Sequence, residues 1–229
     1  MKNTLINRKI IQKVAKALGD LNNQVIYVGG ATVCLYINDP AADDVRPTKD
    51  VDISLKIASV AHLEDIREEL SKRGFKQTAD LDVICRFKFD DILVDVMATK
   101  PVGWAPANPW FEGGFNNLEH VDFDGIIIQI MPLTYFLASK FTAHLNRGGS
   151  DPRLSHDFED ITYILDNRTD WHELVKNERG EAKMFLLKQL KAIKQSPKLQ
   201  EAILCNLYYE TQEARLQMIM NKIEFCLTS

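Results

Sequence analysis

Cysteine is scarce in this 229-residue chain: Cys34, Cys85, Cys205 and Cys226 are widely scattered, with no CxxC pair and no Cys/His cluster at zinc-ligand spacing. That argues against both a disulfide framework and a structural zinc site. Long hydrophobic runs are missing as well. The most apolar stretch, Ile126 to Ser139, is interrupted by Gln129 and Pro132 and stopped by Lys140, short of the ~20 residues that a membrane span needs. The opening MKNTLINRKIIQKVAKALGD carries charges throughout and lacks the apolar core and small-residue cleavage site of a secretory signal. The expectation is a cytoplasmic protein with no membrane partner. Neither sign of charge dominates: 28 Lys plus Arg against 32 Asp plus Glu leaves a net charge of −4. A basic coat is thereby excluded, and any nucleic-acid contact has to be a local patch.

What is present is an ordinary globular balance, 45% hydrophobic and 26% charged, enough to bury a proper core. Apolar side chains at helical spacing (Ile6, Ile10, Val14, Ala17, Leu18) predict an amphipathic helix over Leu5 to Leu18, ended near Gly19. VIYVGG, Val25 to Gly30, reads as a buried strand running into a glycine turn, and Ala31 to Ile37 as the helix after it. Val51, Ile53 and Leu55 alternate with Asp50, Asp52 and Ser54, which is a strand with one apolar and one polar face. A helix from Val60 to Arg73 follows. Val83 to Phe89 and Ile92 to Met97 return to period two around a turn at Asp90 and Asp91, predicting a hairpin. Pro101 to Asn117, with Trp104, Trp110, Phe111 and Phe115, is a loop by composition. Ile126 to Ile130 is the last predicted strand.

Pro132 then opens a helix over Leu133 to Arg147, and everything beyond reads helical: His156 to Leu165, Trp171 to Lys176, Glu181 to Lys194 and Leu199 to Leu227. Strands first and helices last imply an α+β fold, with a small mixed-sheet domain over residues 1–131 and a helical domain over 132–229.

Asp50 and Asp52, two apart on one strand, project from the same face, and Asp95 in ILVDVM sits among apolar neighbours on a later strand. A bare DxD is usually an ordinary polar face. Three converging carboxylates, however, repel one another and lose hydration unless a cation compensates them, and hard divalent cations are the natural partner. Gly29 and Gly30 add a turn where a phosphate can approach the backbone closely. A tight strand-to-helix turn would need the same glycines. Together the features point to phosphoryl or nucleotidyl transfer.

The order VGG, helix, RPTKDVDISL, then ILVDVM resembles the nucleotidyltransferase superfamily, with its polymerase-beta-like fold. CCA-adding enzymes carry an arginine soon after the glycines, where this chain has Ala31, Thr32 and Val33. In LASKFTAHLNRGGSDPRLSHDFEDITYIL, residues Lys140, Ala143, Arg147, Asp157 and Asp160 follow the K-x-x-A, R, D-x-x-D order of AbiEii-type nucleotidyltransferase toxins. The resemblance covers roughly residues 25 to 166. It implies that Asp50, Asp52 and Asp95 hold Mg²⁺ (or Mn²⁺) and that Asp95 takes the proton of an attacking hydroxyl. It also implies that Gly29, Gly30 and Thr48 bind the nucleotide with Lys140 and Asp157, and that Lys140 meets the charge of the leaving pyrophosphate. A lysine on such a helix also commonly snorkels to solvent, and Arg147 with Asp157 or Asp160 also reads as an ion pair tying helices together.

The implied partners are an NTP, an RNA or tRNA acceptor and an antitoxin, in a toxin-antitoxin or phage-defence setting. A catalytically silent nucleotide-binding or regulatory protein and a small-molecule (antibiotic) nucleotidyltransferase are the alternatives. A basic run, Lys176, Arg179, Lys183, Lys188, Lys191, Lys194 and Lys198, reads either as an RNA-facing strip or as a solvated helix face.

Overall fold

The computed structural model describes residues 2–78, 85–103 and 105–228. Val83, Ile84 and Trp104, which the sequence reading places in a strand and an aromatic loop, lie outside the described residues. The chain divides into two compact units, one formed by Met1–Leu35 with Asp44–Pro132 and the other by Tyr36–Asp43 with Leu133–Ser229.

The first unit opens with helix α1 (Lys2–Leu18), which buries Ile11, Val14, Ala15 and Leu18 along one stripe. Strands β1 (Val25–Val28) and β2 (Asp50–Leu55) pair antiparallel. Helix α2 (Val60–Lys72) is capped by Ser59, whose hydroxyl accepts the His62 N–H. Strands β3 (Lys76–Gln77), β4 (Arg86–Phe89) and β5 (Ile92–Ala98), the short helix α3 (Phe111–Phe115), and strands β6 (Glu119–Phe123) and β7 (Ile126–Ile130) complete the unit. Among the described residues the strands form one seven-stranded sheet in the order β3-β4-β5-β2-β1-β7-β6. It is mixed: β2 runs parallel to β5 and β1 to β7, and the other pairs are antiparallel. β1 is buried on both faces, as its central place demands. β5 alternates, with Ile92, Val94, Val96 and Ala98 buried and Leu93, Asp95 and Met97 half-buried.

The observed class is the α+β one expected. Several details of this unit differ from the sequence reading. Residues after the glycine turn form a six-residue 3₁₀ helix, Gly30–Leu35, where a helix from Ala31 to Ile37 is predicted. The Thr32 hydroxyl donates to the Gly29 carbonyl at 2.9 Å, a local bond that competes with α-helical geometry, and Thr32 and Val33 are β-branched. Strand β6 is absent from the sequence reading because EHVDF buries only Phe123. Its hairpin partner was signalled by Asp124-Gly125, both with positive φ (50° and 85°) as a tight two-residue turn requires. The 101–117 loop contains α3, and Phe111 anchors it at 4% exposure.

The second unit consists of α4 (Leu133–Arg147), α5 (His156–Asn167), α6 (Trp171–Asn177), α7 (Gly180–Gln195), α8 (Pro197–Cys205) and α9 (Gln212–Leu227). The single helix predicted over Leu199–Leu227 is thus two, broken at residues 206–211, where Asn206 donates its side-chain amide back to the Ala202 carbonyl. Trp171 is fully buried and donates Nε1–H to the Leu165 carbonyl at 2.8 Å. Tyr36 stacks on Phe136 with ring centroids 4.3 Å apart, and Arg168 donates to the Tyr36 carbonyl. Among the described residues no helix is long and apolar enough to cross a membrane.

Candidate active site

The polar face of β2 presents Asp50 and Asp52, both half-buried. Parallel pairing sets Asp52 directly abreast of Asp95 on β5, and antiparallel pairing sets Asp95 abreast of Arg86 on β4. Residues so paired share one face of the sheet, with strands ~4.8 Å apart. Arg86, Asp95 and Asp52 therefore form a row across three adjacent strands, and Val28 at the end of β1 continues it. Arg86 Nε and Nη2 donate to Asp95 Oδ1 and Oδ2, each at 2.8 Å, the two-pronged geometry that guanidinium and carboxylate favour.

Gly29 follows Val28 with φ of +76°, and a Cβ there would lie 1.7 Å from Asp52 Oδ2. The carboxylate fills the space above the glycine. At Gly30 a Cβ would lie 2.4 Å from Arg46 Nη2 and 3.1 Å from Thr48 Cγ2, so a guanidinium lies over the second glycine. The loop bearing Arg46 and Thr48 is held from α1. Asn7, fully buried, donates Nδ2–H to the Arg46 carbonyl at 3.2 Å, and its Oδ1 accepts the Thr48 backbone N–H at 3.2 Å and hydroxyl at 3.4 Å.

Cys85, immediately before β4, has its thiol pushed up to about 11 by burial and then by the neighbouring Asp95 charge. It stays a neutral thiol at physiological pH and is no nucleophile.

Among the described residues no group of three His, Cys, Asp or Glu side chains is arranged to hold a metal ion. A Mg²⁺ ion commonly takes one or two carboxylates, leaving the rest of its shell to water and substrate phosphates. Asp50 and Asp52 are hard oxygen donors on one face, beside a glycine whose missing side chain leaves room for the carboxylate. The donor set fits such an ion.

The remaining sequence candidates lie in the second unit. Lys140 is 4% exposed, and its ammonium donates to Asp157 Oδ1 at 3.2 Å and to Asp160 Oδ2 at 2.6 Å. It does not snorkel. Arg147 grips Asp157 through Nε and Nη2 at 2.9 and 3.2 Å. Burial would raise the Asp157 pKa, but the Arg147 hydrogen bond and the Lys140 and Arg147 charges outweigh it and hold the carboxyl below its ordinary value.

In the basic run, Lys183 donates to the Lys176 carbonyl, Lys194 pairs with Glu224, and Lys198 donates to the Ser150 carbonyl. Lys176 lies over the Phe225 ring. Four of these cations therefore contact the unit's own groups.

Sequence reasoning missed Arg86, Arg46 and Asn7. For Arg86 the signal existed: counting outward from the Asp90-Asp91 turn, Phe89 meets Ile92 and Arg86 meets Asp95. For Arg46 and Asn7 no local pattern announces a contact made across some forty residues.

No protein-family model matches the chain, and no curated protein does. Among solved structures, an antigenic nucleotidyltransferase-like protein from Paracoccidioides brasiliensis is similar at 18% identity and a TM-score of 0.52, over 86% of this chain and 91% of that one. The fold is nucleotidyltransferase-like. The antibiotic-resistance factor ANT(2'')-Ia is similar at 16% identity and a TM-score of 0.48, over 83% of this chain and 96% of that one.

Proposed function

We propose that this protein is a nucleotidyltransferase, moving a nucleoside monophosphate from an NTP to a hydroxyl or phosphate acceptor. The single observation that carries the reading is the placement of Asp50, Asp52 and Asp95 on one face of the sheet, with Asp52 abreast of Asp95 and packed over Gly29. Asp50, Asp52 and Asp95 would hold Mg²⁺ or Mn²⁺, which supplies charge neutralisation at the transferring phosphorus and at the leaving pyrophosphate. Gly29 leaves room for the Asp52 carboxylate and Gly30 for the Arg46 guanidinium, a cation offered to the triphosphate. Asn7 fixes the loop that carries Arg46 and Thr48. Asp95 has about four lone-pair sites; Arg86 occupies two, and a remaining one receives the proton of the attacking hydroxyl.

The finer reading is an AbiEii-type enzyme acting on RNA or tRNA and restrained by an antitoxin. Its support is the K-x-x-A, R, D-x-x-D order over Lys140 to Asp160. Labelled NTPs, each incubated with the protein, Mg²⁺ or Mn²⁺ and either total RNA, total protein or small-molecule antibiotics, test both levels. Transfer of label to RNA, lost in Asp52→Asn, is the expected result. Label on a small molecule would keep the transferase and replace the acceptor. No transfer in any arm would leave a nucleotide-binding or regulatory protein.

A further inference from the structure

We infer that Arg86 takes the place of a second cation in the nucleotide-free site, so that Asp50 and Asp52 alone furnish the resting chain's divalent-cation site. The inference rests on the nucleotidyltransferase reading and adds what that reading leaves open, namely how many cations the protein holds by itself.

Three observations converge. Both Asp95 oxygens are engaged at 2.8 Å by one guanidinium, so the third carboxylate already has its counter-charge. The pair is shielded, with the Arg86 and Asp95 side chains 21% and 13% exposed, where salt screens poorly. It is also built into the sheet. Arg86 and Asp95 are register partners, and the next rung is fixed by the Val96 N–H donating to the Cys85 carbonyl at 2.9 Å. Arg86 therefore approaches Asp95 by strand pairing, not by the chance reach of a long surface side chain.

A positive charge on the strand next to Asp95, ~5 Å away by strand spacing, also opposes a second cation there. Fixed charges within ~4–6 Å shift ionic equilibria by ~10–10³-fold, the scale expected for the penalty on cation binding at Asp95. The phosphates of an incoming nucleotide bring the negative charge that the protein withholds. In this arrangement the second cation arrives with substrate.

The test is Mn²⁺ titration of the full chain without nucleotide, followed by the paramagnetic resonance of free Mn²⁺. The wild type is expected to bind one ion, lost in Asp52→Asn. Arg86→Gln should gain a second ion or bind at least ~10-fold more tightly, and Arg86→Lys, which keeps the charge, should behave as wild type. Asp95→Asn should leave the first ion in place.

Two ions on the wild type, or Arg86→Gln binding like wild type while its circular dichroism is native, would overturn the inference and leave the transferase reading intact. If Arg86→Gln does not fold, Asp95→Asn decides: weakened Mn²⁺ binding there would make Asp95 a resting ligand and overturn the inference. No Mn²⁺ bound by the wild type at millimolar concentration would overturn this inference together with the metal-dependent reading beneath it.

Discussion

The Asp52 carboxylate occupies the volume that a side chain on Gly29 would need, with Oδ2 1.7 Å from an ideal Cβ. Gly29→Ala must therefore displace Asp52 as well as hold alanine at a φ of +76°. The expected cost is ~1–3 kcal/mol of stability, measurable by urea denaturation. Asp52 should also lose its place, so melting of Gly29→Ala should respond less to Mn²⁺ than wild type does.

Mg²⁺ and an NTP together should raise the melting temperature more than either alone, because ligands that bind only the folded chain stabilise it by mass action, ~2.7 kcal/mol at a hundredfold excess over Kd. Asp50→Asn and Asp52→Asn should each abolish the joint increment. An NTP shift that needs no metal and survives both substitutions would instead identify a simple phosphate site at the glycines.

Asn7→Ala leaves the buried Thr48 N–H without its acceptor and frees the Arg46 carbonyl. An unsatisfied buried group costs ~1–3 kcal/mol. Because the freed loop also carries Arg46, NTP affinity should fall along with stability. Isothermal calorimetry at a temperature where the variant is fully folded separates the two effects.

Lys140→Met removes the ammonium from between Asp157 and Asp160, leaving buried carboxylates with less compensation, a change that typically costs ~3–5 kcal/mol. The same cluster fixes an acid limit. A carboxyl whose folded pKa is depressed stabilises the fold fully above the ordinary value of ~3.9 and loses that contribution as pH falls through the folded value. Wild-type stability should therefore drop below ~pH 4, and Asp157→Asn, already weaker at pH 7, should drop less in that window. Equal pH slopes in the two proteins would remove Asp157 from the acid response.

Much of the sheet and the carboxylate row was legible in the sequence. Alternation over Asp50 to Leu55 and Ile92 to Met97 is enforced by one buried face, and a one-residue slip would turn every apolar side chain outward. The helical run after Pro132 was legible for the same reason at a different period. What escaped depended on partners remote in sequence or on weak burial. Glu119 to Phe123 is an edge strand with little apolar content, and the 3₁₀ geometry after Gly30 accompanies a Thr32 hydroxyl bond back to Gly29 and two β-branched residues. Arg86 became visible only when the hairpin was counted as a ladder. The burial of Lys140 could not be read from its own helix, because the carboxylates that make it tolerable lie on α5.

The segment Tyr36–Asp43 belongs with the helical unit although the chain returns to the sheet unit at Asp44. During synthesis these eight residues leave the ribosome long before the helices that receive them. Tyr36 must wait for Phe136 and then for Arg168, a delay on the order of ten seconds at ~5–20 residues/s. In that interval an aromatic side chain destined for a stacked, buried position is exposed to water and to other nascent chains. The sheet unit, whose last residue is Pro132, is already fully synthesised by then, so the helical unit is finished last from two pieces made far apart in time.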